Sequence, residues 1–188
     1  MSVKNIEKVL SLVDDVDLNE GKQAYHNYNN LLRNISSYYK VGFSQTVAAF
    51  VSLSPNNDFI GNVRSLVSLI QGIGDGRPKE DIVVSTYCHC LFRAYNYMVG
   101  NKDFLLETDG LKITNFYCNI LLPDSKRYVT IDGHMHNVWR GEKATMSESA
   151  LSREKYNKIA YDFKNSICKK WAYPQSIAGC FMVYLEKS

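Results

Sequence analysis

Apolar residues recur at helical spacing along almost the whole chain, which leaves little sequence from which a sheet could be built. Over residues 3–16 they stand at Ile6, Val9, Leu10 and Val13, and over 23–39 at Tyr28, Leu31, Leu32, Ile35 and Tyr39. Gly42 interrupts the pattern as a helix-end glycine does, and residues 43–53 resume it as a compact, largely buried helix. Further helices are predicted over 58–71, 79–99, 112–121, 132–139, 151–171 and 174–186. The one over 79–99, rich in Val, Tyr, Phe and Leu, is expected to be central. In the one over 151–171, Tyr156, Ile159, Ala160, Phe163 and Ile167 form a continuous stripe, and Pro174 suits the first turn of the last. Only residues 128–131 read as strand, too few to found a sheet. The expected fold is all-α, with helices joined by short loops.

A chain of 188 residues suffices for a single domain with a continuous core, or a domain with a small lobe. Its 45% hydrophobic and 12% aromatic content excludes the disordered class. Five cysteines, at Cys88, Cys90, Cys118, Cys168 and Cys180, are an odd number and make no disulfide framework. Cys118 and Cys180 sit among apolar residues, where thiols behave as small hydrophobes. The N-terminal stretch is amphipathic and interrupted by charge, so it reads as neither signal peptide nor anchor. No apolar run approaches the roughly 20 residues of a membrane span. A cytoplasmic location, no membrane partner and a monomeric state are expected.

The net charge of +3 is unevenly placed. Residues 1–110 carry ten Lys/Arg against twelve Asp/Glu, a balance of −2, while residues 111–188 carry twelve against seven, a balance of +5. The basic excess includes Lys126, Arg127, Arg140, Lys143, Lys169 and Lys170. Surfaces that contact phosphate are built this way, and so are solvated helical faces. The glycine-rich stretch 72–78 lacks both the Lys-Ser/Thr pair and the preceding strand of a phosphate-binding loop, and reads as a connector.

The stretch LKITNFYCNILLPDSKRYVTIDGHMHNVW places Lys112, Asn115 and Asn119 off the apolar stripe formed by Ile113, Phe116, Tyr117 and Ile120. Pro123 and Asp124 then end that helix. Val129, Thr130 and Ile131 lead to Asp132, with His134 two residues on, at the start of another helix. An aspartate there can cap free backbone N–H groups. It can also act as a reactive carboxylate beside the lysine-bearing helix.

VTIDGHMHNVW resembles the segment of the helix-hairpin-helix DNA glycosylases, of the endonuclease III type, that carries the catalytic aspartate in a Val-Asp-Thr-His pattern. LKITNFYCNI resembles the preceding helix of that family, which supplies the Schiff-base lysine of its bifunctional members. LSPNNDFIGNV resembles the Leu-Ser-Ala-Gln stretch that supplies a duplex-wedging glutamine. Short phage and bacterial proteins of unassigned function share the same Leu-Ser-Pro-Asn-Asn and Ile-Asp-Gly-His style. The resemblance spans Leu53 to Trp139 and implies two helical lobes meeting at a cleft, with DNA as partner and a flipped, modified or damaged base as substrate. It assigns Asp132 as catalytic carboxylate, Lys112 as the lysine, Asn119 as the asparagine between them and Asn56, with Asn57 beside it, as the wedge. At the family's glycine-rich hairpin this chain has Thr108, Asp109 and Gly110, and the four iron–sulfur cysteines have no counterpart, so no cofactor is implied.

Each residue also has a plainer reading. Cleaving an N-glycosidic bond builds positive charge on the sugar, which a carboxylate at Asp132 stabilises, but a helix cap explains the same residue. Lys112 is a nucleophile only if desolvated; otherwise it holds phosphate. Turn chemistry alone explains Asn56 and Asn57. Cys88, His89 and Cys90, with His134 and His136, lack zinc-ligand spacing, so no metal is expected and His134 reads as lining the site. Tyr117, Tyr128 and Trp139 flank Asp132 in sequence, placed either to stack on an extruded base or to fill the core.

Overall fold

The computed structural model describes residues 2–107, 110–142 and 151–167, and all regular structure in them is helical. The helices are α1 (Ser2–Leu10), α2 (Asp15–Tyr39), α3 (Phe43–Leu53), α4 (Phe59–Gly74), α5 (Cys88–Met98), α6 (Phe104–Glu107), α7 (Leu111–Leu121), α8 (Gly133–Arg140) and α9 (Arg153–Ile167), with a 3-10 turn at Lys79–Asp81. No described helix is long and apolar enough to cross a membrane. The chain divides into two compact units, one of Met1–Tyr28 with Gly110–Ser188, the other Asn29–Asp109. The helix expected over 174–186 lies outside the described residues, as do Thr108, Asp109, Cys168 and Cys180.

The helix expected over 3–16 stops at Leu10, and Asp15 and Val16 already belong to α2. Ser11 N–H closes on the Glu7 carbonyl at 3.0 Å and Leu12 N–H on Val9 at 3.0 Å, ending α1. Asp14 then accepts from Val16 N–H at 2.9 Å and Asp17 N–H at 2.8 Å. A capping carboxylate with Asp15 and Asp17 in the first turn suits the positive end of the helix dipole. The capping chemistry outweighs an apolar period that runs through it.

In the unit 29–109, α3 packs on α5 and α4. Every residue of α3 from Thr46 to Leu53 is buried, the pattern of a central helix. The single helix expected over 79–99 is absent. Residues 82–87 are non-helical, and α5 starts only at Cys88. Ile82, Val83, Val84 and Thr86 are β-branched and poor helix formers. The backbone of this segment is tied instead to α4: Ser65 Oγ accepts from Ser85 N–H at 3.0 Å, and Ser68 Oγ donates to the Val83 carbonyl at 2.7 Å. Thr86 donates to the Pro55 carbonyl. Contact is close enough that a Cβ on Gly72 would stand 2.7 Å from Ile82 Cγ1.

In the other unit, α1 packs on α8 and α9. Gly141 ends α8 in a left-handed conformation, φ 83°, and a Cβ there would also meet Asn5 Nδ2 at 2.6 Å. Asn5 Nδ2 donates to the Trp139 carbonyl at 3.2 Å, so α1 satisfies a carbonyl in the last turn of α8. The stripe read on α9 faces inward, with Tyr156, Ile159 and Phe163 all buried.

Past the end of α2, Lys40 has φ 56°, a left-handed position that glycine normally fills. Replacing it should remove about 1 kcal/mol of backbone strain. Lys40→Gly is expected to raise the melting temperature by roughly 2–4 °C, measured by calorimetry; an unchanged or lower value would contradict this account of the turn.

Candidate functional site

Residues 129–131 belong to no helix and pair with no strand, although Val129, Thr130 and Ile131 are all buried. Buried backbone groups need partners, and here side chains supply them. Asn115 Oδ1 on α7 accepts from Val129 N–H at 3.3 Å. The Tyr156 hydroxyl on α9 donates to the Val129 carbonyl at 2.9 Å and accepts from Ile131 N–H at 3.0 Å. Asn119 Nδ2 donates to Thr130 Oγ1 at 3.0 Å, and the Tyr25 hydroxyl of α2 is close enough to both side chains for them to oppose the rise in its pKa. Asn119 is fully buried, so it does not fall off the apolar face as its spacing suggested. It belongs to the interior, where Thr130 takes a hydrogen bond from its amide nitrogen.

This mounting delivers Asp132 to the start of α8. Its backbone is extended, φ −100° and ψ −172°, and Oδ1 accepts from Met135 N–H at 2.9 Å. The capping role is therefore real. Among the described residues Oδ2 accepts no hydrogen bond, and Asp132 is half-buried. Burial pushes the Tyr25 hydroxyl well above its ordinary pKa, with the Asp132 charge adding to the rise. Tyr156 is raised likewise, by burial first, then against the lowering effect of its bond to Ile131, with the charge of Asp132 contributing. Both phenols stay neutral and stand as fixed dipoles near the carboxylate.

The other candidate residues fall in different settings. Lys112 is exposed in the first turn of α7. The neighbouring Leu111 carbonyl is 3.5 Å from the Tyr156 hydroxyl, so Lys112 and Asp132 each adjoin a residue touched by that hydroxyl. Tyr117 is buried, while His134 is exposed in the first turn of α8. Trp139 donates from Nε1 to Asp162 Oδ2 at 2.8 Å and its ring stacks 6.2 Å from His136. Lys126 and Arg127 are exposed on the loop after α7, with the Arg127 guanidinium 5.6 Å from the Tyr128 ring. Arg140 pairs with Glu142 at 2.7 Å. Lys143, Lys169 and Lys170 lie outside the described residues.

Asn56 and Asn57 belong to the other unit. Asn56 is exposed at φ 54°, a conformation asparagine tolerates better than most residues. Asn57 Nδ2 reaches Ser65 Oγ at 3.3 Å, and Asp58 caps α4 through Gly61 N–H. The turn is thereby held in one shape with Asn56 pointing outside that bonding. Among the described residues no group of three His, Cys, Asp or Glu is arranged to hold a metal.

Periodicity gave no sign of Tyr25, Asn115 or Tyr156 as supports of Asp132. Tyr156 reads only as one more apolar position on its stripe, and the hydrogen bonds it makes join residues 25 and 27 positions apart. Tyr156→Phe would leave the Ile131 N–H and the Val129 carbonyl buried without partners, at a cost of about 3 kcal/mol. The pH effect has a definite sign. A phenol whose pKa rises on folding contributes stability that is complete below its ordinary value of 10.0 and is lost as pH climbs past it. Denaturant titrations are expected to show stability declining above pH 10, less steeply in Tyr156→Phe; an identical decline in both would contradict a buried neutral phenol.

Residues 1–176 match a family of unknown function (DUF7178), and the chain belongs to that family. No curated protein and no solved structure matches the chain.

Proposed function

We propose that this DUF7178 member is a DNA glycosylase-like enzyme that acts on a flipped base, cleaving or exchanging its N-glycosidic bond with Asp132 as the catalytic carboxylate. The observation that carries the reading is the division of labour at that carboxylate. Oδ1 is fixed by Met135 N–H, while Oδ2 takes no bond from the described residues. A carboxylate oriented at no further cost can stabilise oxocarbenium-like charge or take a proton from water. The resemblance of VTIDGHMHNVW to the aspartate segment of the helix-hairpin-helix glycosylases, and the basic excess of residues 111–188, support DNA as the substrate.

Lys112 is exposed rather than sequestered, which suits phosphate contact better than imine formation. Water is then the attacking group, activated by Asp132. A second reading keeps DNA binding and drops the chemistry: the helix cap by itself accounts for an aspartate at this position.

Incubating the protein with duplexes that carry a panel of modified and damaged bases, then treating with alkali, separates these readings. Asp132→Asn keeps an N-cap oxygen and hence the fold, yet is expected to lower base release by about 10²–10³-fold. Binding without strand scission in the parent protein would favour the binding module. Absence of both would leave a helical interaction domain. Lys112→Ala is expected to weaken binding while base release persists at saturating protein. A borohydride-trapped adduct that vanishes in this variant would overturn the water route.

A further inference from the structure

Three aromatic rings of the unit that carries Asp132 meet in a triangle, and two of them read in the sequence only as positions on apolar stripes. Tyr25 and Tyr28 of α2 have ring centroids 6.0 Å apart, Tyr28 and Phe116 of α7 also 6.0 Å, and Tyr25 and Phe116 6.3 Å. The Tyr28 and Phe116 rings are nearly perpendicular, at 86°. Tyr25 is buried, whereas Tyr28 and Phe116 are half-buried. The triangle therefore has one vertex in the interior and two at the surface.

The buried vertex joins the triangle to the mounting of Asp132. The Tyr25 hydroxyl is near the Asn119 and Thr130 side chains, and the Asp132 charge is close enough to act on it. Along α7, Lys112 stands four positions before Phe116 and Asn119 three after it, so the three share one face. They span about 10 Å of helix axis, comparable to one nucleotide from phosphate to base edge. Asn119 Oδ1 is buried with no hydrogen-bond partner among the described residues. The aromatics that flank Asp132 in sequence are engaged elsewhere: Tyr117 is buried, Trp139 is bonded to Asp162, and Tyr128 lies beneath the Arg127 guanidinium.

Two half-buried rings at right angles make a corner. A flat ring that stacks face to face on one meets the other edge to face, and both contacts are favourable. Aliphatic side chains would cover Tyr25 as well but would offer no ring face. A nucleotide complements the whole face of α7, with phosphate for Lys112, a planar ring for Phe116 and an edge N–H for Asn119 Oδ1. We propose that Tyr28 and Phe116 form the stacking corner that receives the extruded base, and that they favour planar aromatic bases over ring-saturated ones. The corner rests on the reading of the protein as a DNA glycosylase-like enzyme and defines the class of base it holds. A base whose ring is saturated is puckered and loses the stacking that every planar base can make.

The test is fluorescence-anisotropy titration of three short duplexes alike except at one position. That position carries a mispaired 2-aminopurine, a 5,6-dihydrothymine or a tetrahydrofuran abasic analogue. The proteins are the parent, Phe116→Leu, Tyr28→Leu, Phe116→Trp and Tyr161→Leu, the last at an exposed tyrosine of α9. Loss of one stacking partner weakens binding about tenfold. Both Phe116→Leu and Tyr28→Leu are expected to lose about that much on the 2-aminopurine duplex, far less on the dihydrothymine duplex and nothing on the abasic one. Phe116→Trp and Tyr161→Leu are expected to keep the parent affinities. The 2-aminopurine emission should stay quenched in the parent complex and brighten in Phe116→Leu. A bright, unstacked base in the parent complex would overturn the proposal without recourse to any variant. Equal weakening on all three duplexes would reduce the rings to a structural seam and also overturn it. Parent binding that neither leucine variant alters would overturn the corner and leave the DNA reading standing. Failure of the parent to bind any of the duplexes even at roughly 50 mM salt would overturn both.

Discussion

The Tyr156 hydroxyl makes two short bonds to one stretch of backbone, and the placement of Asp132 depends on them. A non-helical segment buried in an all-helical unit has amide and carbonyl groups that neither water nor a neighbouring strand can satisfy. Here Tyr156 serves both edges at once, Asn115 takes the Val129 N–H, and Thr130 is held through its side chain by Asn119. A single hydroxyl can do this because it donates and accepts at one atom. Once the segment is fixed, the next residue has a defined exit, and Asp132 meets the open N-terminus of α8.

The second unit ties down a more exposed non-helical segment with smaller groups. Residues 82–87 run as a non-helical segment, bent at Ser85 and Thr86, along α4, held by Ser65 and Ser68, while Thr86 reaches the turn that precedes that helix. In both units a β-branched stretch between helices is kept by hydroxyl or amide side chains where a sheet would use a partner strand. This allows a chain without strands among its described residues to hold two β-branched segments between its helices.

How far the sequence told this in advance depended on which force decided each element. Where hydrophobic period and helix punctuation agree, the reading was close: α3 occupies residues 43–53 as expected, α7 starts one residue earlier than expected, and α8 is shifted by one residue at each end. The cap at Asp132 was also legible, because capping is local chemistry. The long helix over 79–99 failed because β-branched residues at 82–86 are poor helix formers and their backbone is tied to α4 and Pro55 instead. Residues 3–16 failed because an aspartate cap overrode the period. Asn119 was beyond reach, since an amide bonded to Thr130 in the core is a tertiary fact with no local signature.

Residue-resolved amide hydrogen exchange on the folded protein tests the central claim most directly, because it reports on the Ile131 N–H itself. If the Tyr156 hydroxyl and its neighbours hold this segment, Ile131 exchanges as slowly as the buried amides of α7, though it belongs to no helix or strand. Exchange at the rate of an exposed loop would show that the segment is not held, and the positioning of Asp132 would lose its physical basis.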